Sequence, residues 1–287
     1  MIDTSTMAAT ANAERIRAAA HDFGVEPTIL TVTPTRDNSA APGRRLADKH
    51  SRLFCGKTLD EWLMIQLETS RCVRKSIFVA ETLDHAERLE RMVLDRKFSK
   101  IAIVPRPRDM LAPINDSGAI PINWAVEREF QFDWFTFISS PFVVSPCRPP
   151  GFFDNMVEEY QLVMSNPDYT RGSAIVCGGY PTDQMLWDKT DGGWVQRGIP
   201  YLNRSPQTRG SITNHWLAAS WWYRANAILA ASRHDIAFNP SIFDIEPWMD
   251  IHIDTEEDWD AAEFWFQKKI LSKGEDCYET YRRSWAG

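Results

Sequence analysis

The chain has 287 residues, of which 44% are hydrophobic, enough to build one large α/β domain with embellishments or two small domains. A formal net charge of -7 argues against a general nucleic-acid-binding protein, because such a protein needs a basic face to neutralise phosphates. The first residues lack the basic start and apolar run of a secretory signal, and no later stretch is as long and apolar as a membrane span. We therefore expect a cytoplasmic protein with no membrane partner.

The cysteines are widely spaced and form no CxxC pair, which is the spacing that zinc and redox sites use. Their number is odd, so a complete set of internal disulfides is excluded. We predict free thiols that serve mainly as packing residues. The five cysteines are Cys55, Cys72, Cys147, Cys177 and Cys277.

The first part of the chain alternates helix and strand patterns. An alanine-rich helix is predicted over residues 12–22, and an apolar, β-branched run at 28–33 predicts a central strand. The elements that follow are a helix over 59–70, a strand at 76–80, a helix over 83–93 and a strand at 101–104. This alternation is typical of parallel strands with helical crossovers, so we predict an α/β fold with a mostly parallel sheet and helices on both faces.

Two segments interrupt this alternation. Residues 37–51 are polar and basic and are broken by Pro42 and Gly43, which predicts a loop of unusual length. Loops of that length inside a compact domain are usually functional. Residues 109–128 are less regular, and we interpret them as an excursion over the active face.

Helix and strand patterns continue to alternate in the second part of the chain. These elements are a strand at 134–138, a helix over 152–164, strands at 173–177 and 218–223, and a short helix over 225–231. We divide the chain into an N-terminal helical extension (1–26), an α/β body (27–271) and a C-terminal tail (272–287). The tail could pack on the body or on a second subunit.

A junction near the C-terminus carries candidate metal chemistry. Apolar and polar residues alternate over 249–254, the pattern of a strand with one buried face, and Thr255 with Asp258 predicts a capping box that opens a helix. Asp254 is therefore predicted at the carboxyl end of a strand, where open α/β sheets bind ligands. An acidic residue at that position must be solvated, paired or bound to a cation. The spacing alone favours a divalent-metal site and a hydrogen-bonded polar strand end equally.

Three motifs resemble one enzyme family. Residues 31–46 (TVTPTRDNSAAPGRRL) and 53–59 (LFCGKTL) resemble the start of the cytidylyltransferases that activate sugar acids, in which PAR, GGSKxxPxKN and GKPL follow in order. Residues 138–141 (ISSP) are similar to the family's PTSP turn, and residues 253–258 (IDTEED) are similar to its metal segment. The matches follow the family's order and span about residues 28–271. In the first two segments they fall on Pro34, Arg36, Ser39, Pro42, Arg44, Gly56, Lys57 and Leu59.

The resemblance to this family, which includes acylneuraminate and 3-deoxy-manno-octulosonate cytidylyltransferases, implies a fold and a reaction. The fold is the Rossmann-like nucleotide-diphospho-sugar transferase fold. The reaction transfers CMP from CTP to the anomeric hydroxyl of a sugar acid and releases pyrophosphate. Family habit also leads us to expect a homodimer, and no nucleic acid is expected as a partner.

The resemblance also implies roles for individual residues. Arg36 and Arg44 would be catalytic residues that grip the triphosphate through charge-assisted hydrogen bonds, whereas without the resemblance they read as ordinary solvated charges. Asp254 would be catalytic and would hold Mg²⁺. The other implied roles are nucleotide binding by Ser39, Ser139 and Ser140, acceptor binding by Gln207 and Arg209, and a second metal-ligand position at His252.

The chain also departs from the family pattern. Asp37, Asn38 and Ala40 stand where the family loop has two glycines and a lysine, which predicts weaker triphosphate binding. His252 replaces an acidic residue of the sialic acid branch, and because Mg²⁺ prefers oxygen donors, one-carboxylate binding or a different metal are alternatives.

These departures keep two further functions open. One is a family member that has lost catalysis and acts as a nucleotide-sugar-binding or assembly subunit. The other is a nucleotidyltransferase of the same fold that uses another nucleoside triphosphate and a sugar phosphate.

Overall fold

The computed structural model describes most of the α/β body. The described residues are 27–35, 46, 49–106, 119–131, 135–165, 175–181, 187–190, 193–196, 210–220, 223 and 241–286. The helices predicted over 12–22 and 225–231 lie outside them, as does most of the loop predicted at 37–51.

A seven-stranded sheet is the centre of the fold. The strands within the described residues are β1 (Ile29–Thr35), β2 (Val73–Ala80), β3 (Ile101–Pro105), β4 (Phe137–Ser139), β5 (Ile175–Pro181), β6 (Trp187–Thr190), β7 (Gly193–Gln196), β8 (Gly210–Ala219) and β9 (Ser241–Asp244). The strand order in the large sheet is β3-β2-β1-β4-β8-β5-β9, and β6 pairs with β7 in a separate antiparallel ribbon.

Most neighbouring strands of the sheet are parallel, as predicted. β1 is parallel to β2 and to β4, β2 is parallel to β3, and β5 is parallel to β9. Among the described strands of the seven-stranded sheet, only β8 runs antiparallel to its neighbours, which are β4 and β5. The central position predicted for the first strand is confirmed, because β1 has a paired strand on each side.

Helices flank the sheet and begin at the positions that the capping patterns predict. Thr58 accepts a hydrogen bond from the backbone N–H of Glu61 at the start of α1, and Thr255 does the same for Asp258 at the start of α5. The helices of the described residues are α1 (Leu59–Thr69), α2 (Leu83–Arg96), α3 (Ala119–Phe130), α4 (Phe152–Ser165), α5 (Glu256–Lys269) and α6 (Cys277–Ala286).

The sheet separates two apolar clusters, because successive strand residues point to opposite faces. In β2, Ile77 and Val79 join the cluster on one face, while Phe78 and Ala80 join the cluster on the other. The face that contains Ile77 is covered by α3, and the opposite face is covered by α1, α2, α4 and α5. This arrangement confirms the three-layer α/β fold.

The C-terminal helix α6 packs on the body of the same chain. The ring of Tyr278 is buried in the larger cluster, and the hydroxyl of Tyr281 donates to Oδ2 of Asp154 at 2.7 Å. Asp154 also accepts the backbone N–H groups of Arg71 and Cys72 at 2.8 Å each. One buried carboxylate therefore joins α4, α6 and the turn before β2.

The prediction of an irregular segment over 109–128 is wrong at the C-terminal end of that segment. The structure has a regular helix there, α3. Ile122, Ala125 and Val126 are buried at helical spacing against the sheet, so the apolar period was present in the sequence.

The strand predicted at 218–223 is displaced. The observed strand β8 begins at Gly210 and ends at Ala219, and both Ser220 and Tyr223 are helical. All residues from 215 to 220 are buried, so polarity does not alternate and gives no signal of where the strand ends.

The strand predicted over 249–254 is also wrong. Residues Pro247–Asp250 form a 3-10 turn, and the described residues that follow are extended without belonging to a strand. Ile253 is fully buried, and its N–H donates to the carbonyl of Val144 at 2.9 Å. The alternation therefore reports an extended segment with one buried side, and Asp254 does not end a sheet strand.

The cysteines are free thiols, as predicted. Burial raises the pKa of Cys72, Cys147 and Cys177 to about 12, which keeps these thiols neutral and makes them packing residues. Across the described residues, no helix is both long enough and apolar enough to cross a bilayer.

Candidate functional site

The start of α5 positions Asp254. This residue precedes the N-cap Thr255, and Oδ2 of Asp258 accepts the N–H groups of both Thr255 (2.9 Å) and Asp254 (3.1 Å). Burial alone would raise the pKa of Asp258, but these hydrogen bonds outweigh it and lower the pKa. The backbone of Asp254 is thus fixed by a helix cap, while its own side chain is 61% exposed.

Lys49 joins the end of the basic loop to this acid. Its Nζ lies 3.0 Å from Oδ1 of Asp254 and 2.6 Å from the carbonyl oxygen of Ile253. The Lys49 side chain is only 9% exposed. Lys49 is not among the predicted site residues, because nothing in the sequence distinguishes it from the other basic residues of the loop.

His50 makes a second anchor next to the first. Its Nδ1 lies 3.2 Å from Oδ2 of Asp60 in the first turn of α1, and both side chains are buried. The ring of His85 lies edge-on to the His50 ring, with centroids 6.4 Å apart. Two consecutive residues therefore fix the end of the loop to α5 on one side and to α1 on the other.

His252 faces Asp254 from the other side of the carboxylate. Its Nε2 is 3.8 Å from Oδ2 of Asp254, and its Nδ1 is 3.3 Å from Oγ of Ser145. The ring of Phe142 packs edge-on to the imidazole at a centroid distance of 5.9 Å. Phe142 and Ser145 belong to the segment that follows β4, so this segment and residues 252–254 form one site.

The same segment begins with the two serines predicted to lie near the nucleotide. Ser139 and Ser140 are both buried, and the hydroxyl of Ser139 donates to the carbonyl of Trp216 at 2.6 Å. The Ser139 side chain therefore ties β4 to β8. Nucleotide binding by Ser139 and Ser140 stays a prediction.

The carboxyl ends of β1, β2 and β4 meet at one edge of the sheet. Thr35 pairs with Ala80 and Thr31 pairs with Ser139 in parallel register. The chain therefore leaves β1 for the basic loop at the edge where Ser140 follows β4, and this is where α/β sheets bind ligands.

Several predicted site residues lie outside the described residues, and their roles stay predictions. They are Arg36, Ser39, Arg44, Gln207 and Arg209, together with the loop positions Asp37, Asn38 and Ala40.

Two buried basic residues hydrogen-bond backbone carbonyls close to the site. Nη2 of Arg148 donates to the carbonyl of Phe142 at 2.8 Å, and burial lowers the pKa of Arg148 to about 10. Nε2 of His215 hydrogen-bonds the carbonyl of Met249 at 2.9 Å. Burial, followed by the charge of Arg148, lowers the pKa of His215 to about 3, so this imidazole is neutral.

The donor atoms at the site fit one carboxylate ligand for Mg²⁺. Mg²⁺ is commonly held by one or two carboxylates, with substrate phosphates and waters as the other ligands. The exposed carboxylate of Asp254 meets that requirement, whereas the imidazole of His252 does not, because Mg²⁺ prefers oxygen. No group of three or more His, Cys, Asp or Glu side chains is arranged to hold a metal within the described ranges.

Comparisons with known proteins identify the fold. No protein-family model matches the sequence, and no curated protein matches it either. The structure is similar to 4-diphosphocytidyl-2C-methyl-D-erythritol synthase from Anaerococcus prevotii, with a TM-score of 0.56 and 12% identity over 87% of this chain and 99% of that chain. It is also similar to CMP:2-keto-3-deoxy-manno-octonic acid synthetase complexed with CTP, with a TM-score of 0.54 and 12% identity over 85% of this chain and 100% of that chain. The chain therefore has the α/β nucleotide-diphospho-sugar transferase fold that the sequence resemblance implies.

Proposed function

We propose that the protein is a metal-dependent nucleotidyltransferase that transfers CMP from CTP to a sugar acid and releases pyrophosphate. The observation that carries this proposal is the contact between Lys49, at the end of the basic loop, and Asp254, at the start of α5. Lys49 follows the residues 31–46 that resemble the phosphate-binding motif of sugar-acid cytidylyltransferases, and Asp254 belongs to the segment that resembles their metal-binding motif, so the contact supports a single site for both. The fold, which is shared with a synthetase complexed with CTP, supports the proposal.

In the proposed reaction, the anomeric hydroxyl oxygen attacks the α-phosphorus of CTP. A new P–O bond forms, the bond from the α-phosphorus to the bridging oxygen breaks, and pyrophosphate leaves with that electron pair while the hydroxyl proton passes to solvent. Arg36 and Arg44 would hold the triphosphate through charge-assisted hydrogen bonds. A divalent cation, expected to be Mg²⁺, would neutralise charge that develops on the phosphates, with Asp254 as its carboxylate ligand and His252 beside it.

Lys49 would serve as a positioning residue in this reaction. Its buried ammonium holds one oxygen of Asp254 and the carbonyl of Ile253, which fixes the acid relative to the loop. On the acceptor side, Arg209 would bind the sugar carboxylate through two parallel hydrogen bonds, with Gln207 nearby. We further propose that Ser39, Ser139 and Ser140 line the nucleotide site and that the protein acts in the cytoplasm as a homodimer.

A second candidate function is a nucleotide-sugar-binding or assembly subunit that no longer catalyses transfer. One observation favours it: the carboxylate of Asp254, which would have to hold the cation, already pairs with the ammonium of Lys49. This candidate predicts nucleotide binding without pyrophosphate release.

The deciding experiment measures binding and turnover separately. Thermal unfolding would be followed with CTP, UTP, GTP and ATP in the presence of Mg²⁺, and pyrophosphate release would be measured with a panel of sugar acids and sugar phosphates. We expect CTP to raise the melting temperature most, and release to require both a sugar acid and the cation. Binding without release would favour the subunit, and a preference for another base with a sugar phosphate would indicate the related transferase. If neither nucleotide binding nor pyrophosphate release is observed, the proposal is contradicted.

A further inference from the structure

A buried arginine closes a turn next to the site, and we call residues 142–148 the Arg148 turn. Arg148 is 1% exposed. Its Nη2 donates to the carbonyl oxygen of Phe142 at 2.8 Å, six positions earlier in the chain, and its Nη1 donates to Oε1 of Gln66 on α1 at 3.3 Å. One side chain therefore joins the two ends of the turn to each other and to α1.

A buried ion pair does not explain the guanidinium of Arg148. Both of its acceptors are neutral oxygens, and across the described part of the chain no carboxylate pairs with it. Burial lowers the pKa of Arg148 to about 10, so the group is still charged at neutral pH. Burying such a charge is unfavourable, and a planar guanidinium offsets part of that cost through hydrogen bonds in fixed directions. Arg148 therefore fixes the direction of the Phe142 carbonyl.

The C-terminal end of the Arg148 turn is held as well. Nε2 of Gln66 donates to the carbonyl oxygen of Pro146 at 2.7 Å. The hydroxyl of Tyr278 on α6 donates to the carbonyl oxygen of Arg148, and the side chains of Gln66 and Tyr278 are both buried. The backbone that carries the guanidinium is thus fixed by α1 and α6.

The Arg148 turn contacts residues 252–254 at two points. The carbonyl oxygen of Val144 accepts the backbone N–H of Ile253 at 2.9 Å. The Phe142 ring packs edge-on to the imidazole of His252, with centroids 5.9 Å apart. Because the residue that the guanidinium holds lies two positions before Val144, the shape of the turn decides where residues 252–254 lie.

We propose that Arg148 is a positioning residue of the site: it sets the shape of the turn and, through Phe142 and Val144, holds residues 252–254 in place for nucleotidyl transfer. The inference rests on the proposed function only for its effect on turnover, since the contact with residues 252–254 can be tested without nucleotide. A misplacement of about 1 Å can lower a reaction rate by about 100-fold, so this contact is expected to matter for catalysis.

The first test follows hydrogen exchange at the amide of Ile253 in the full-length protein without nucleotide. Arg148→Met removes both donors, whereas Arg148→Lys keeps a charged donor for one of the two acceptors. We expect exchange at this amide to be at least about 10-fold faster in Arg148→Met and intermediate in Arg148→Lys. If Arg148→Met does not fold, Arg148→Lys makes the same comparison.

The control separates a local effect from a general loss of stability. Asp154→Asn changes another buried side chain that joins several elements but lies outside the Arg148 turn. In every variant, exchange at Ile253 is divided by exchange at Val32 in the central strand β1, which reports global unfolding. We expect this ratio to rise in the Arg148 variants and to stay at the wild-type value in Asp154→Asn. An equal ratio in all folded variants would overturn the inference.

The second test measures pyrophosphate release and separates this inference from the proposed function. We expect kcat to fall at least about 10-fold in Arg148→Met and less in Arg148→Lys, with the KM for CTP changed by less than about 3-fold, because Arg148 does not contact the substrate. Asp154→Asn should keep both constants close to the wild-type values. A raised exchange ratio without any transfer by the wild-type protein would contradict the proposed function alone. Transfer by the wild-type protein with kcat unchanged in every folded Arg148 variant would contradict this inference alone.

Discussion

The ammonium of Lys49 lies 3.0 Å from Oδ1 of Asp254, although 205 positions separate the two residues in the sequence. The two partners differ in burial: the Lys49 side chain is 9% exposed and the Asp254 side chain is 61% exposed. Because the ammonium also holds the carbonyl of Ile253, Lys49 is the fixed partner of the pair. The acid can therefore meet a ligand from solvent without losing its anchor.

Replacing Asp254 with Asn should abolish transfer and leave the fold intact. The Asn side chain keeps the size of the acid and removes the charge that a cation needs, and the α5 cap depends on Thr255 and Asp258 instead. We expect pyrophosphate release to fall at least about 100-fold. The free energy of unfolding should fall by about 1 to 3 kcal/mol, because the buried ammonium of Lys49 keeps the carbonyl of Ile253 but loses its counter-charge.

The matched control for this prediction is Glu256→Gln. Glu256 is 60% exposed, has an arginine partner at 2.6 Å and lies two positions after Asp254. Its loss should leave pyrophosphate release close to the wild-type value. Equal activity in the Asp254 variant and in this control would show that Asp254 has no catalytic role.

Replacing Lys49 with Met should lower both stability and turnover. The variant keeps an unbranched side chain but leaves the Ile253 carbonyl without its donor, and we expect a loss of about 1 to 3 kcal/mol in the free energy of unfolding, measured in urea. Lys269→Met is the control, because Lys269 forms an ion pair with Glu246 at the same 3.0 Å but is 37% exposed. A cost for Lys49→Met no larger than the control's would contradict the anchor role.

Removing the Tyr281 hydroxyl should affect stability alone. Tyr281→Phe keeps the ring that packs against Gly151 and removes one hydrogen bond to Asp154, at a cost of about 1 kcal/mol. Asp154→Asn disturbs all three donors to this buried carboxylate and should cost about 2 to 3 kcal/mol. Chemical denaturation measures both variants, and unchanged pyrophosphate release would confirm that this junction is structural.

Stability should fall in acid because His215 is held neutral. Its pKa is lowered by burial from an ordinary value of 6.5 to about 3, so the unfolded chain takes up a proton at a pH where the folded protein does not. The stability that depends on a neutral His215 is fully present above pH 6.5. It is lost as the pH falls towards 3, at roughly 1.4 kcal/mol for each pH unit.

Urea unfolding at about pH 7.5 and about pH 5 measures this effect. The His215→Gln variant, which cannot titrate at this position, should lose less stability between the two pH values than the wild-type protein. Equal losses in the two proteins would show that His215 does not carry the acid sensitivity.

The sequence predicts most of the sheet, because short parallel strands that are buried on both faces appear in the sequence as continuous apolar runs. The run at 28–33 and the helix after Thr58 appear in the structure almost as expected. The prediction failed where one period can arise from two structures. The alternation over 249–254 reflects an extended segment with Ile253 buried, and a sequence does not reveal whether such a segment has a neighbouring strand.

The candidate site is predicted in part. The capping pattern of Thr255 and Asp258, which is a local signal, predicts the helix start directly after Asp254, whereas the strand end predicted at Asp254 was wrong. Lys49 could not be found in the same way, because its role depends on a contact between segments that are distant in the sequence. Ser139 shows the opposite case. Its motif predicts a role in nucleotide binding, but its hydroxyl donates to the carbonyl of Trp216 within the sheet.

The cap of α5 has a dynamic consequence. A single carboxylate, that of Asp258, closes the first turn of the helix and also holds the backbone of Asp254. Fraying of that turn would release both groups at once, so the positional precision of the acid depends on the local opening equilibrium of the helix. Hydrogen exchange at the amides of Asp254 and Thr255 should therefore report how tightly the site is held.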